Sequence, residues 1–213
     1  MKNGWIDISR PIHKGTAVWP GDCGFRADKK WSMAKGDSVT VHTLTMSVHT
    51  GTHADAPNHV SRTGISIDRL PLDAYMGPAY VISKPGNGPV ELRHLKQALA
   101  AKAERMLIKT AASSSTERKF PRPFSYLTPG AARALTRGGV RLVGIDTPSV
   151  DPFTTKTLEV HHILFNGNTL ILENLCLKNV KPGPYFLIAA PLRLTGLDAS
   201  PVRALLKKGS DPF

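Results

Sequence analysis

The chain has 213 residues, a formal net charge of +12 and a hydrophobic fraction of 41%. That length supports one domain with its own core and needs no disulfides. No apolar run approaches the roughly 20 residues that cross a bilayer, so no membrane partner is expected. Met1-Lys2-Asn3-Gly4-Trp5 lacks the apolar core of a signal peptide. The only two cysteines, Cys23 and Cys176, are far apart and in no metal-binding spacing, which fits a reducing, cytoplasmic setting. The positive charge is scattered over Lys29-Lys30, Arg133, Arg137, Arg141 and Lys207-Lys208. No block of like charge and no nucleic-acid module stands out, so no nucleic-acid partner is expected. A solvated basic surface that attracts small anions is the reading taken.

In chain order, Trp5-Ile6-Asp7-Ile8 reads as a short strand and Gly15 to Asp22 as a loop rich in Gly and Pro. Ser38 to Val48 is β-branched and alternating, which predicts a strand delivering His49 to the loop beyond it. Its apolar positions change phase, from Val39 and Val41 to Leu44, Met46 and Val48, so a bulge or break is expected near His42. Ala79 to Ile82 and Arg105 to Ile108 are strands. Glu91 to Ala101 is a helix, with Leu92, Leu95 and Leu99 at spacings of three and four. Residues 111–125 are polar, with consecutive serines and two prolines, and predict a mobile loop or flap. Thr128 and Pro129 open a helix as N-cap and first helical residue, and Gly138-Gly139 stops it. Val140 to Ile145 is a buried strand, residues 156–165 a helix, and Thr169 to Leu172 a strand ending in Glu173. Tyr185 to Ala190 is the last strand expected, and Ser200 to Ala204 starts a terminal helix. Alternating strands and helices predict a single α/β domain over residues 1–213 with a mixed β-sheet.

The densest chemistry lies between His49 and His59, which holds three of the eight histidines and Asp55. Imidazole nitrogens with a carboxylate oxygen suit a zinc-like divalent ion. His49 and His53 stand four apart, but Thr50-Gly51-Thr52 and Pro57 disfavour a helix. The residue after the first histidine is Thr50, where a zincin helix needs Glu. A tight turn at Gly51 can still bring both rings together. In extended chain Asp55 points to the same side as His53. A histidine-rich surface loop would account for any one of these residues, but not for three donors converging around a glycine turn. Glu173, at the end of an apolar strand, and His161-His162, in the expected helix, are further candidates. For His162 a packing role is the expected one.

The run His49-Thr50-Gly51-Thr52-His53-Ala54-Asp55-Ala56-Pro57-Asn58-His59 resembles the signature of the cyclase-like metal hydrolases. The resemblance narrows to the bacterial kynurenine formamidase branch through Trp19-Pro20-Gly21-Asp22, Asp146-Thr147-Pro148-Ser149-Val150-Asp151-Pro152 and Asp198-Ala199-Ser200-Pro201-Val202-Arg203. It covers almost the whole chain and is weakest over residues 111–127. It implies a swivelling-type β/β/α domain, usually dimeric. His49, His53, Asp55, His161 and Glu173 match that family's metal ligands, with Asp55 and Glu173 bridging two zinc ions; manganese or cobalt would accept the same donors. His59 matches its general acid/base and Trp19 its substrate-contacting aromatic.

The activity so implied is hydrolysis of N-formyl-L-kynurenine to L-kynurenine and formate. Two rivals remain at this stage: a related hydrolase opening a cyclic amide or imide, as isatin hydrolases do, and a non-catalytic metal- or nucleic-acid-binding protein.

Overall fold

A computed structural model of the chain describes residues 4–116 and 118–209. Met1–Asn3, part of the N-terminal reading above, and Glu117 in the 111–125 loop lie outside that range. The strands are Trp5–Asp7 (β1), Arg26–Trp31 (β2), Val41–Thr45 (β3), His53–Asp55 (β4), Met76–Ser83 (β5), Pro89–Val90 (β6), Arg105–Lys109 (β7) and Tyr126–Leu127 (β8). They continue as Leu142–Ile145 (β9), Leu170–Glu173 (β10), Gly183–Ile188 (β11), Ala199–Pro201 (β12) and Leu205–Lys208 (β13). The helices are Leu92–Ala100 (α1), Pro129–Arg137 (α2) and Glu159–Asn166 (α3). None of them is long and apolar enough to cross a membrane.

Nine strands form one mixed sheet in the order β1-β13-β11-β5-β7-β9-β10-β4-β12. Its centre, β5-β7-β9-β10, is parallel, and the two flanks are antiparallel. Each parallel step is crossed by one helix, α1, α2 and α3 in turn. Parallel crossovers are almost always right-handed, so a strand order that advances in one direction stacks all its helices on one face. The burial pattern agrees. Ile82, Met106, Ile108, Val143, Ile145 and Ile171 pack with Leu95, Leu135 and Leu164 of the helices. Their sequence neighbours Val81, Leu107, Leu142 and Leu172 face the other way, against Tyr75, Leu187 and Leu206. A period of two thus divides the apolar residues between two cores, and strands buried on both faces read as unbroken hydrophobic runs.

Local chemistry sets the helix ends as expected. The Thr128 hydroxyl accepts the Ala131 N–H, and Pro129 occupies the first turn of α2. Glu91 caps α1 in a reciprocal box with His94, whose Nδ1 accepts the Glu91 N–H.

Four expectations need correction. The strand predicted over Ser38–Val48 is only Val41–Thr45; it pairs with β2 in a separate ribbon rather than entering the main sheet. The predicted irregularity is real, but the register slips on β2, between Lys29 and Trp31, opposite His42 and Val41. The sequence Arg26–Trp31, nearly all exposed and charged, carries no apolar alternation, so β2 is invisible to a hydrophobic pattern. Ser200–Ala204 is no helix. Ala199–Pro201 is an edge strand, where Pro201 needs no donor on its open side, and Leu205–Lys208 follows as a further strand beyond the one expected to be last.

The loop at residues 111–125 is fastened at its start. Asp146, fully buried at the end of β9, accepts hydrogen bonds from Thr110 N–H (2.7 Å), Thr110 Oγ1 (2.7 Å), Ser113 N–H (3.0 Å) and Ser113 Oγ (2.6 Å). Asp146→Ala strips an acceptor from four buried donors. It should cost at least ~2 kcal/mol, read by calorimetry as a fall in Tm of roughly 4–8 °C or more. A fall below about 1 °C would contradict this anchoring.

Candidate metal centre

The centre is set by strand register. β4 lies antiparallel to β10 with His53 directly opposite Glu173 and Asp55 opposite Ile171. Along β4, His53 and Asp55 share one face, while Ala54 between them packs into the core on the other. Glu173 takes the same face as Ile171, the face covered by the helices, and α3 carries His161 down towards it. His53 Nε2 stands 3.3 Å from Asp55 Oδ1 and 3.6 Å from Glu173 Oε2. His161 Nε2 stands 3.5 Å from both Asp55 Oδ2 and Glu173 Oε1. His49 arrives from the turn before β4, with Nδ1 3.1 Å from Asp55 Oδ1. Among the described residues three groups of close donor atoms result: His49-His53-Asp55 and Asp55-His161-Glu173, with Asp55 common to both, and the less buried His49-His59-Asp198.

The turn between His49 and His53 depends on Gly51. Its φ of 70° is in the left-handed region, and a Cβ there would lie 2.8 Å from Ile12 Cγ1. The Gly51 carbonyl then accepts the His53 Nδ1–H at 2.9 Å. The other two imidazoles are tied in the same way on their outer nitrogens. His161 Nδ1 donates to Asp151 Oδ2 (2.7 Å) and His49 Nε2 to Asp198 Oδ2 (3.0 Å). Each bond fixes a tautomer and leaves the inner nitrogen as the lone-pair donor, the usual outer arrangement around a metal-binding histidine. Asp151 also accepts the Val160 and His161 backbone N–H groups at the start of α3, where the N-cap residue Leu158 offers no side-chain cap. Glu173 Oε1 is held by the Val150 N–H at 2.7 Å.

A cation fits this set. Both oxygens of Asp55 are buried and neither has a hydrogen-bond partner; a carboxylate left so would be costly without a cation. Burial alone would raise the Asp55 pKa, but His53, His161 and His49 hold it well below the ordinary carboxylate value. Burial works to lower the His49 pKa, yet Asp55 and Asp198 raise it to about 9. His161 is likewise pushed upward by Asp151, Asp55 and Glu173, against its burial.

His59 is carried by the 3-10 turn Pro57–His59, not by continued extended chain. Gly64 lets the following loop press on that turn, since a Cβ there would sit 2.3 Å from the Pro57 carbonyl carbon. The His59 ring lies 4.4 Å from the His49 ring and 5.8 Å from the His161 ring, centre to centre.

Above the centre opens a cavity of about 400 Å³, lined by His49, His53, His59, His161 and Glu173 at its floor and by Trp19 and Phe120 at its wall. Trp19 stacks on Phe153 (5.0 Å between centroids) and meets Phe120 edge-on (5.4 Å). The Arg122 guanidinium covers Phe153 at 3.5 Å from the ring centre. Lys119 and Lys156 also line the cavity.

Six of the residues singled out in the sequence, His49, His53, His161, Glu173, His59 and Trp19, line one cavity, and Asp55, 1% exposed, joins the donor cluster without lining it. Glu173 is not at an exposed strand end; β10 is interior and the residue is 3% exposed. His162 is not among the clustered donors; it lines an adjoining hollow with Arg62, and that hollow shares His59 with the cavity. Sequence reasoning missed the duties of Asp151 and Asp198, although both stand in runs that carried the family resemblance. It also missed Phe120 and Phe153, whose only signal is aromatic residues in loops.

Such a cluster, set on a mixed α/β sheet, is the frame of a cyclase-type hydrolase. The Cyclase family model matches residues 6–152, and the chain belongs to that family. Its relatives narrow the branch. It is 44% identical over 211 residues to the kynurenine formamidase of Salinibacter ruber, covering 97% of this chain and 99% of that protein. It is 44% identical over 208 residues to the kynurenine formamidase of Geobacillus thermodenitrificans, covering 98% and 99%. Among solved structures, one from Bacillus stearothermophilus described as a predicted metal-dependent hydrolase superposes with a TM-score of 0.82 at 31% identity, over 95% of this chain and 97% of that one. Isatin hydrolase A from Labrenzia aggregata shares the fold, with a TM-score of 0.81 at 24% identity over 95% and 92%.

Ligation requires neutral imidazoles, so ion binding must displace the protons that the carboxylates now hold on His49 and His161. Zinc added to metal-free protein at pH 7 should release protons, and its affinity should rise with pH, because neighbouring carboxylates push the His49 and His161 pKa values upward. Calorimetry in buffers of differing ionisation enthalpy reads the release directly. Binding without proton release would contradict the ligand set.

Proposed function

We propose that this chain hydrolyses N-formyl-L-kynurenine to L-kynurenine and formate, acting over residues 1–213 as one catalytic domain. The observation that carries the reading is the pair of donor triads sharing Asp55 at the floor of an aromatic cavity, supported by the relatives' shared name. His49, His53, Asp55, His161 and Glu173 would hold two zinc ions, with manganese or cobalt as alternatives. Such ions supply Lewis acidity towards a carbonyl oxygen and bring the pKa of water down to about 7.

The remaining work falls to side chains. His59, at the cavity floor beside the donors, takes the proton of the attacking water and returns it to the aniline nitrogen as the C–N bond breaks. Trp19, backed by Phe153, offers a flat apolar face for the substrate's aryl ring. Lys119 and Lys156 bring positive charge to the cavity that receives a substrate carboxylate.

A homodimer completes the proposal. The β2–β3 ribbon pairs outside the main sheet and exposes Trp31 (55%) on one face and Leu44 (60%) on the other, apolar side chains that a second copy would cover. The free thiols Cys23 and Cys176 suit a cytoplasmic enzyme.

N-formylkynurenine should be turned over by the metal-loaded protein, lost on chelation and regained on adding zinc. Faster turnover of cyclic amides such as isatin would overturn the substrate assignment. His59→Ala should keep its metal and lower kcat by about 10²–10⁴-fold; unchanged kcat would remove His59 from the chemistry. Light scattering should give twice the mass of one chain, falling to one in a Trp31→Asp, Leu44→Asp double variant. A monomeric wild type would refute the dimer.

A further inference from the structure

Two histidines with different proposed duties meet a single carboxylate oxygen. Asp198 precedes the edge strand β12, and its carbonyl accepts the Ala56 N–H at 2.8 Å just beyond β4. The sheet therefore places it. Its Oδ2 lies 3.1 Å from His59 Nδ1 and 3.0 Å from His49 Nε2. An ionised carboxylate accepts and cannot donate. Both facing nitrogens must then carry hydrogen, so in each neutral ring the lone pair falls on the other nitrogen, Nδ1 of His49 and Nε2 of His59.

We propose that Asp198 is the positioning residue of the acid/base group: it holds the His59 ring with Nδ1–H on the carboxylate and Nε2 as the base. The same contact stabilises the imidazolium formed when His59 takes a proton from water, because the positive charge appears 3.1 Å from Asp198 Oδ2. The proposal rests on the role given to His59 above. Its rival is that Asp198 matters only through His49, by steering a metal ligand.

A double-mutant cycle separates the two. Asp198→Asn, His59→Ala and the double variant are loaded with zinc, and kcat, KM and bound zinc are measured with N-formylkynurenine and with a nitro-substituted formanilide. The nitroaniline leaves with little need of a proton. Expected for Asp198→Asn is wild-type zinc content, little change in KM and a kcat on N-formylkynurenine lower by about 10²–10⁴-fold. The loss should be much smaller on the nitroanilide and absent when His59 is already Ala. An equal loss in the His59→Ala background, or loss of zinc with loss of rate, would overturn the proposal in favour of His49. A readout free of turnover is the ¹⁵N shift of His59 in the zinc-loaded protein: one Nδ1–H tautomer in the wild type, a mixture in Asp198→Ala. The same tautomer in both would also overturn it. If the wild type hydrolyses neither amide, the function proposed above fails and the nitrogen shifts still decide the role of Asp198.

Discussion

The antiparallel pairing of β4 on β10 governs the site, because it sets His53 across from Glu173. Strand side chains alternate, so a slip of one residue would turn His53 and Asp55 into the apolar core and bring Ala54 to the donor cluster. Core packing guards against that slip, since Ala54 and Ala56 are fully buried among large aliphatic neighbours. The chemistry is therefore held in place by hydrogen-bonded backbone and by the intolerance of a packed core. The second neighbour of β4, the edge strand β12, brings Asp198 by the same means.

Much of this is legible in the sequence, for reasons that can be named. β9 and β10 are short, wholly buried runs and β7 is buried up to its last residue, and α2 announces both its ends through Thr128, Pro129 and Gly138. The donors in residues 49–59 stand out because they are dense, and the alternation His53-Ala54-Asp55 already implied a shared face. What stays hidden is what depends on partners distant in sequence. β2 owes its extended form to pairing with β3, not to its own residues. Ser200-Pro201 looks locally like a helix start, yet pairing with β4 makes it strand. Asp151 and Asp198 gain meaning only when folding sets them behind His161 and His49, and nothing in their immediate neighbours signals this.

The outer hydrogen bonds explain why the ring nitrogens are not interchangeable. Three imidazoles are pinned by three different acceptors, the Gly51 carbonyl, Asp151 and Asp198. A neutral carbonyl under one ring and carboxylates under two make the donors unequal in basicity. The two ends of the shared Asp55 therefore face differently tuned partners. Asp151 does double duty, since the oxygens that orient His161 also cap the helix that carries it.

The aromatic wall has another origin. Trp19, Phe120 and Phe153 come from three separate loops, none of which contributes a donor atom to the floor. Inheritance can treat the two parts separately. A change in loop length or in one aromatic residue would reshape what the cavity admits and leave the ladder beneath it untouched, so that new specificities lie a few substitutions apart while the reactive floor persists through divergence.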